Sequence, residues 1–258
     1  LLQHCYLRNE TSRSYSYWYF DNRIDYIMTK RLGILGGMGP AATAEFYRRL
    51  VEQTSASCDQ EHIPVVIWGD PTVPDRSTSL MNRDDLPWEK LKAGILGLKS
   101  AGCNRIVIPC NTAHFWYDRM SQLGVPIKHI VGSVATELKT LKIHSGTIGI
   151  IGTKATMSLG LYQHYLNDLG WSCVTPSTSE MDTYVQPAIE LIKSNDIEAA
   201  HDLLMIAIDK LLSCGIKAIV LGCTEIPLAV KETEYKNIPL INSIDSLVKA
   251  AITEFKLP

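Results

Sequence analysis

The chain has 258 residues, of which 46% are hydrophobic and 20% charged, with a formal net charge of −2. These values suit one large or two small globular domains with a buried core. They offer no Lys/Arg cluster for nucleic acid and no apolar run long enough to span a bilayer. Seven cysteines, at 5, 58, 103, 110, 173, 214 and 223, include no Cys-x-x-Cys pair. The odd number and the missing spacing argue against a disulfide framework or a zinc ribbon, and for free thiols in a reducing, cytoplasmic compartment. The histidines show no ligand spacing, so no metal site is expected.

Residues 1–30 read as an extension outside the fold. The stretch from Ser14 to Phe20 is aromatic and polar with no continuing period. It lacks the apolar core of a signal peptide, and Met28 reads as a natural start. Beyond it, β-branched runs alternate with helix-length amphipathic segments. A strand predicted from Leu32 to Leu35 leads into Gly36-Gly37-Met38-Gly39-Pro40 and a helix from Ala41 to Thr54. The next strand, Pro64 to Trp68, precedes a Pro-rich turn that carries Arg76. A helix from Trp88 to Ser100 is followed by a strand from Arg105 to Ile108 and then by Cys110. Further on, a strand from Thr147 to Ile151 ends just before Thr153. A helix from Asp196 to Ser213, with Leu203, Leu204, Ala207, Ile208, Leu211 and Leu212 at helical spacing, precedes the strand Ala218 to Leu221 and Cys223. A last strand is predicted from Pro239 to Ile241. Buried strands alternating with helices imply an α/β fold with parallel sheet.

An internal repeat organises these elements. Ser100 to Cys110 aligns with Ser213 to Cys223 at an offset of 113, with five of eleven positions identical. Gly33-Ile34-Leu35-Gly36 aligns with Gly149-Ile150-Ile151-Gly152 at the similar offset of 116. Two similar lobes follow, each a parallel sheet flanked by helices, related by pseudo-symmetry around a cleft. Each repeat sets its cysteine at the carboxyl end of a strand, where open parallel sheets bind ligands.

In Cys110-Asn111-Thr112 and Cys223-Thr224-Glu225 a thiol precedes small polar residues and a predicted helix. Helix N–H groups would lower the thiol pKa toward neutrality, and with the Thr112 and Thr224 hydroxyls they could hold a carboxylate. Two such thiols facing one carbon suit inversion of a stereocentre, one removing the Cα proton and the other returning a proton to the far face. Fixed dipoles would then stabilise the charge that builds on the carboxylate.

The motifs Gly36-Gly37-Met38-Gly39-Pro40, Pro74-Asp75-Arg76, Pro109-Cys110-Asn111-Thr112-Ala113-His114 and Gly222-Cys223-Thr224-Glu225 make the chain resemble the aspartate/glutamate racemase superfamily over residues 31–258. The match is closest to the aspartate racemase branch. The resemblance implies a racemase without pyridoxal or any other cofactor, acting on a small acidic amino acid, and often a homodimer. It implies Cys110 and Cys223 as catalytic residues, and Arg76 and Lys193 as ligands of the side-chain carboxylate. Met38, Asn111, Thr112, Thr153 and Thr224 would complete the substrate site. Residues 31–128 plus 237–258 would form the first lobe and 129–236 the second. Glu225 stands where glutamate racemases usually carry His, and their opening Asp-Ser-Gly is absent, which favours aspartate or a broader set of amino acids. His114 is expected to make a helix-end hydrogen bond rather than carry protons.

The main rival is a nicotinamide-dependent oxidoreductase. Gly37 to Ala42 fits Gly-x-Gly-x-x-Ala between a strand and a helix, but the next acidic strand end, Asp70, comes too late for the ribose contact. A one-thiol decarboxylase would not need two cysteines, though an isomerase of the same fold could use both. A non-catalytic amino-acid-binding protein would need no thiol.

Overall fold

The computed structural model describes residues 30–256. The expectation for the extension 1–30 therefore lies outside the described residues, apart from Lys30.

The first sheet is built from β1 (Leu32–Gly36), β2 (Val65–Gly69) and β3 (Arg105–Val107) in the order β2-β1-β3, all parallel. A parallel bridge from Ile106 to Ile127 continues it past β3. Between the strands run α1 (Pro40–Gln53), α2 (Arg76–Asn82) and α3 (Pro87–Ser100). The short α4 (Tyr117–Ser121) and then α5 (Ile130–Thr140) complete this half. Pro40 and Pro87 open their helices at positions where the missing N–H costs nothing and φ is already helical.

The second half also alternates strands and helices. It contains β4 (Gly146–Ile151), α6 (Lys154–Ser158), α7 (Leu161–Asn167), β5 (Trp171–Val174), α8 (Thr178–Glu180) and a π-helical turn over Met181–Val185. These are followed by α9 (Gln186–Lys193), α10 (Ile197–Leu212), β6 (Ala218–Leu221), α11 (Ile226–Ala229), β7 (Glu234–Tyr235), β8 (Ile238–Asn242) and α12 (Ser243–Lys256). Its sheet runs β5-β4-β6-β8-β7, parallel except for the β7–β8 hairpin. In both sheets the first strand of the half is flanked by the second and third.

Alternation along β1 decides where the core sits. Leu32 and Ile34 share a core with Phe46 and Leu50 of α1, with α5 and α12, and with the whole second half. Leu35, on the other face, packs with Leu91, Ile95 and Leu98 of α3 and with Ile106 and Ile108. The first of these two cores thus joins the halves.

The segment 237–258, expected as a whole in the first lobe, is divided. β8 pairs with β6 in the second sheet, Leu240 opposite Ile219 and Ile241 opposite Val220, because its buried residues extend that sheet. Only α12 crosses over, packing on α1 and α5. A charged seam reinforces the crossing: Arg49 donates to Glu45 and to Asp245, each at 2.6 Å.

Candidate active site

Four strand ends converge. β1 runs into the Gly37–Gly39 turn, β3 into Cys110, β4 into Thr153 and β6 into Cys223. Gly37 has φ +92°, and a Cβ there would lie 2.4 Å from the Asp70 backbone. The glycine that invited a dinucleotide reading is therefore required by a close approach of two loops. Gly39 N–H donates at 3.1 Å to Glu225 Oε1 from the other half. The turn thus contacts the other half across the cleft.

Cys110 and Cys223, 5% and 3% exposed, line one cavity. The other seven residues singled out from the sequence line it too: Met38, Arg76, Asn111, Thr112, Thr153, Lys193 and Thr224. The free space inside is about 30 Å³, room for a water or two and less than an amino acid needs. The halves are drawn together by hydrogen bonds on both sides of the cleft. On one side Thr112 Oγ1 lies 3.1 Å from Thr153 Oγ1 and 3.2 Å from Thr156 Oγ1, and those two hydroxyls are 2.9 Å apart. On the other is the Gly39–Glu225 bond. Thr153 also caps α6, its hydroxyl accepting from Thr156 N–H.

Several side chains have partners other than those expected. The Asn111 amide is buried between Tyr162, whose hydroxyl donates to Oδ1 at 2.6 Å, and Ser243, which accepts from Nδ2 at 3.1 Å. It pins the turn after Cys110 to α7 and α12. The Thr224 hydroxyl donates to Glu225 Oε2 at 3.3 Å. His114 makes its local hydrogen bond as expected, Nδ1 lying 2.9 Å from the Cys110 carbonyl oxygen.

Arg76 opens α2 directly after Asp75, whose carboxylate caps the helix by accepting from Thr78 N–H at 2.8 Å. Its Nη1 donates to the Val73 and Pro74 carbonyls, both at 3.1 Å, while Nε is buried with no hydrogen-bond partner among the described residues. The guanidinium lines the same cavity as the Cys110 sulfur, and its positive charge favours the thiolate there. Lys193, at the end of α9, contributes a second cation, exposed at the cavity. Burial pushes Asp75 up, but the Thr78 N–H and hydroxyl, with Arg76 and Lys193, hold it below the ordinary carboxylate value.

The thiol pKa values correct the sequence expectation. Burial pushes Cys110 up; Arg76 and the Ala113 N–H pull it down, and Glu225 opposes them. Cys223 is pushed well up by burial and then by Glu225. The helices meant to lower them are too short to do so: a five-residue 3₁₀ turn, Thr112–Trp116, follows Cys110, and the four-residue α11 follows Cys223. Desolvation outweighs so small a dipole.

Glu225 is the site residue that sequence reasoning undervalued. Its position two residues after Cys223, within the same turn, was the available signal. Among the described residues no group of three or more His, Cys, Asp or Glu side chains could hold a metal ion, and no helix is long and apolar enough to cross a membrane.

The family model described as Asp/Glu/Hydantoin racemase matches residues 35–251. The chain belongs to this racemase family. Its structure is similar to that of Picrophilus torridus aspartate racemase, with a TM-score of 0.78 and 31% identity, covering 88% of this chain and 94% of that one. In sequence it is similar to the broad specificity amino-acid racemase RacX of Bacillus subtilis (strain 168), 26% identical over 87% of this chain and 97% of the relative. The glutamate racemase of Francisella tularensis subsp. tularensis SCHU S4, solved with D-glutamate, shares the racemase fold at a TM-score of 0.65 and 14% identity, covering 88% of this chain and 81% of that one.

Proposed function

We propose that this amino-acid racemase acts on aspartate, without a cofactor, by moving protons between Cys110 and Cys223. The observation that carries the reading is that both thiols line a single cavity, each from the end of a strand in a different sheet. In one direction a thiolate takes the Cα proton, leaving a planar carbanion, and the other thiol gives its proton to the opposite face. One S–H bond forms, one breaks, and the site is left with its proton on the other sulfur. The buried Arg76 Nε, without a partner among the described residues, and the Lys193 ammonium supply the positive charge that a distal carboxylate needs. With about 30 Å³ of free space, the site admits an amino acid once the Thr112–Thr153 and Gly39–Glu225 contacts across the cleft lengthen.

The similarity to a broad-specificity racemase favours a second reading, in which neutral amino acids are accepted as well. We also infer internal pseudo-symmetry between the halves, supported by their corresponding strand orders, and a cytoplasmic homodimer, supported by the family resemblance. The test is incubation in D2O with single enantiomers of many amino acids and no added cofactor, reading chirality and Cα deuteration together. Aspartate should racemise fastest. Exchange confined to neutral amino acids would remove aspartate, and a strict requirement for pyridoxal phosphate would remove the two-thiol chemistry.

A further inference from the structure

Glu225 is 7% exposed and makes no ion pair among the described residues. Its Oε1 is fixed from across the cleft by Gly39 N–H at 3.1 Å. Its Oε2 accepts the Cys223 S–H at 3.0 Å and the Thr224 hydroxyl at 3.3 Å. An ionised carboxylate only accepts, so three donors around this one suit the anion. A thiol that donates to it keeps its proton. Cys110 faces the opposite charge, the Arg76 guanidinium, while a backbone N–H (Ala113 for Cys110, Glu225 for Cys223) favours the thiolate at each sulfur alike.

We propose that Glu225 is a positioning residue that holds Cys223 as the protonated member of the pair, so that Cys110, beside Arg76, ionises first. The assignment rests on the two-thiol reading above. The charged groups around the pair are Arg76, Lys193, Asp75 and Glu225, and each thiol also faces the other. Glu225 repels a thiolate at either sulfur but hydrogen-bonds only Cys223. A turnover from the Cys110-thiolate state moves the Cα proton to Cys110 and the Cys223 proton to the other face. It ends with a Cys223 thiolate beside the Glu225 anion, the less stable arrangement. The reverse turnover, or exchange of one proton with water, restores the start.

Alkylation of the full chain with iodoacetamide across pH, read peptide by peptide by mass spectrometry, tests this. In the wild type Cys110 should label at least roughly 10-fold faster than Cys223 at a given pH, one pKa unit being a factor of ten. Glu225→Gln keeps the size and a hydrogen-bonding oxygen but not the charge, and should speed Cys223 labelling at least roughly 10-fold while changing Cys110 less. Equal rates in the wild type, or faster labelling of Cys223, would overturn the proposal, as would a Gln variant with an unchanged ratio. Should the Gln variant fold poorly, ultraviolet thiolate titration of wild type, Cys110→Ser and Cys223→Ser decides. In the difference from wild type, which cancels the other five thiols, the thiolate lost with Cys110 must ionise at lower pH than the one lost with Cys223, and the reverse order overturns the assignment. Neither readout needs turnover. The expected order of ionisation without racemisation would count against the racemase reading alone; racemisation with the opposite order would count against Glu225 alone.

Discussion

The ring of His114 sets an acid limit on the fold. It is 2% exposed, and burial lowers its pKa from 6.5 to about 4, against backbone contacts at Cys110, Lys128 and Asn111 that favour the charged ring. The neutral ring therefore donates through Nδ1 to the Cys110 carbonyl. An unfolded chain binds a proton at this histidine near 6.5, whereas the folded chain resists until about 4. Stability from this group is full above the upper value and falls as pH drops toward the lower one. The loss is about 3 kcal/mol, a large share of the roughly 5–15 kcal/mol that holds a domain folded. Urea unfolding at several pH values, for wild type and His114→Gln, measures it. Glutamine can donate to the same carbonyl but does not titrate. Between about pH 7 and pH 4 the wild type should lose about 3 kcal/mol more than the variant. Glu45, at about 2, largely cancels in the difference, and His129, at about 3 and lowered by burial and then by His114 itself, is removed from it by making both measurements in a His129→Gln background. Parallel pH curves for the two proteins would refute the argument.

Arg76→Ala should lower kcat/KM for aspartate roughly 10- to 100-fold, the range of one charge-assisted hydrogen bond, and lower it much less for any neutral amino acid that is turned over. Because the guanidinium charge also acts on Cys110, equal losses on both substrate classes would assign Arg76 to the thiol and not to the side-chain pocket. Tyr162→Phe removes the buried hydroxyl from Asn111 Oδ1 and should cost about 1–3 kcal/mol in urea unfolding, because the amide oxygen is left without its donor. A loss too small to measure would mean that the Asn111 turn is held by Ser243 alone.

Strong periodicity made most of the fold legible. β6 was read to its residue limits, and β1, β4 and α10 to within a residue or so, because β-branched runs and a leucine stripe leave little choice of register. The edge strand β5 was missed; Trp171–Val174 is short and carries Ser172 outward, with no alternation to betray it. β8 could not be assigned to a sheet from sequence, since partner choice depends on which strand edge is left open. Among site residues, the repeat around Cys110 and Cys223 brought both thiols to attention, and the structure gathers them with Arg76 and Lys193 at one cavity. The thiol pKa values were not legible, because burial depends on how closely the halves approach. For the same reason the roles of Asn111, as a pin between α7 and α12, and of Glu225, as a cross-cleft acceptor, emerged only in three dimensions.

The most direct test of the two-thiol account follows deuterium at early times in D2O, starting from one enantiomer of aspartate, in wild type, Cys110→Ser and Cys223→Ser. Loss of one general acid/base should cut racemisation by roughly 10²–10⁴ in each serine variant while both remain folded. The wild type should place deuterium mainly in the inverted product. Residual Cα exchange in the variants should favour opposite enantiomers, since each keeps its thiol on a different face. Racemisation near the wild-type rate in either variant would contradict the account and return that cysteine to a purely packing role.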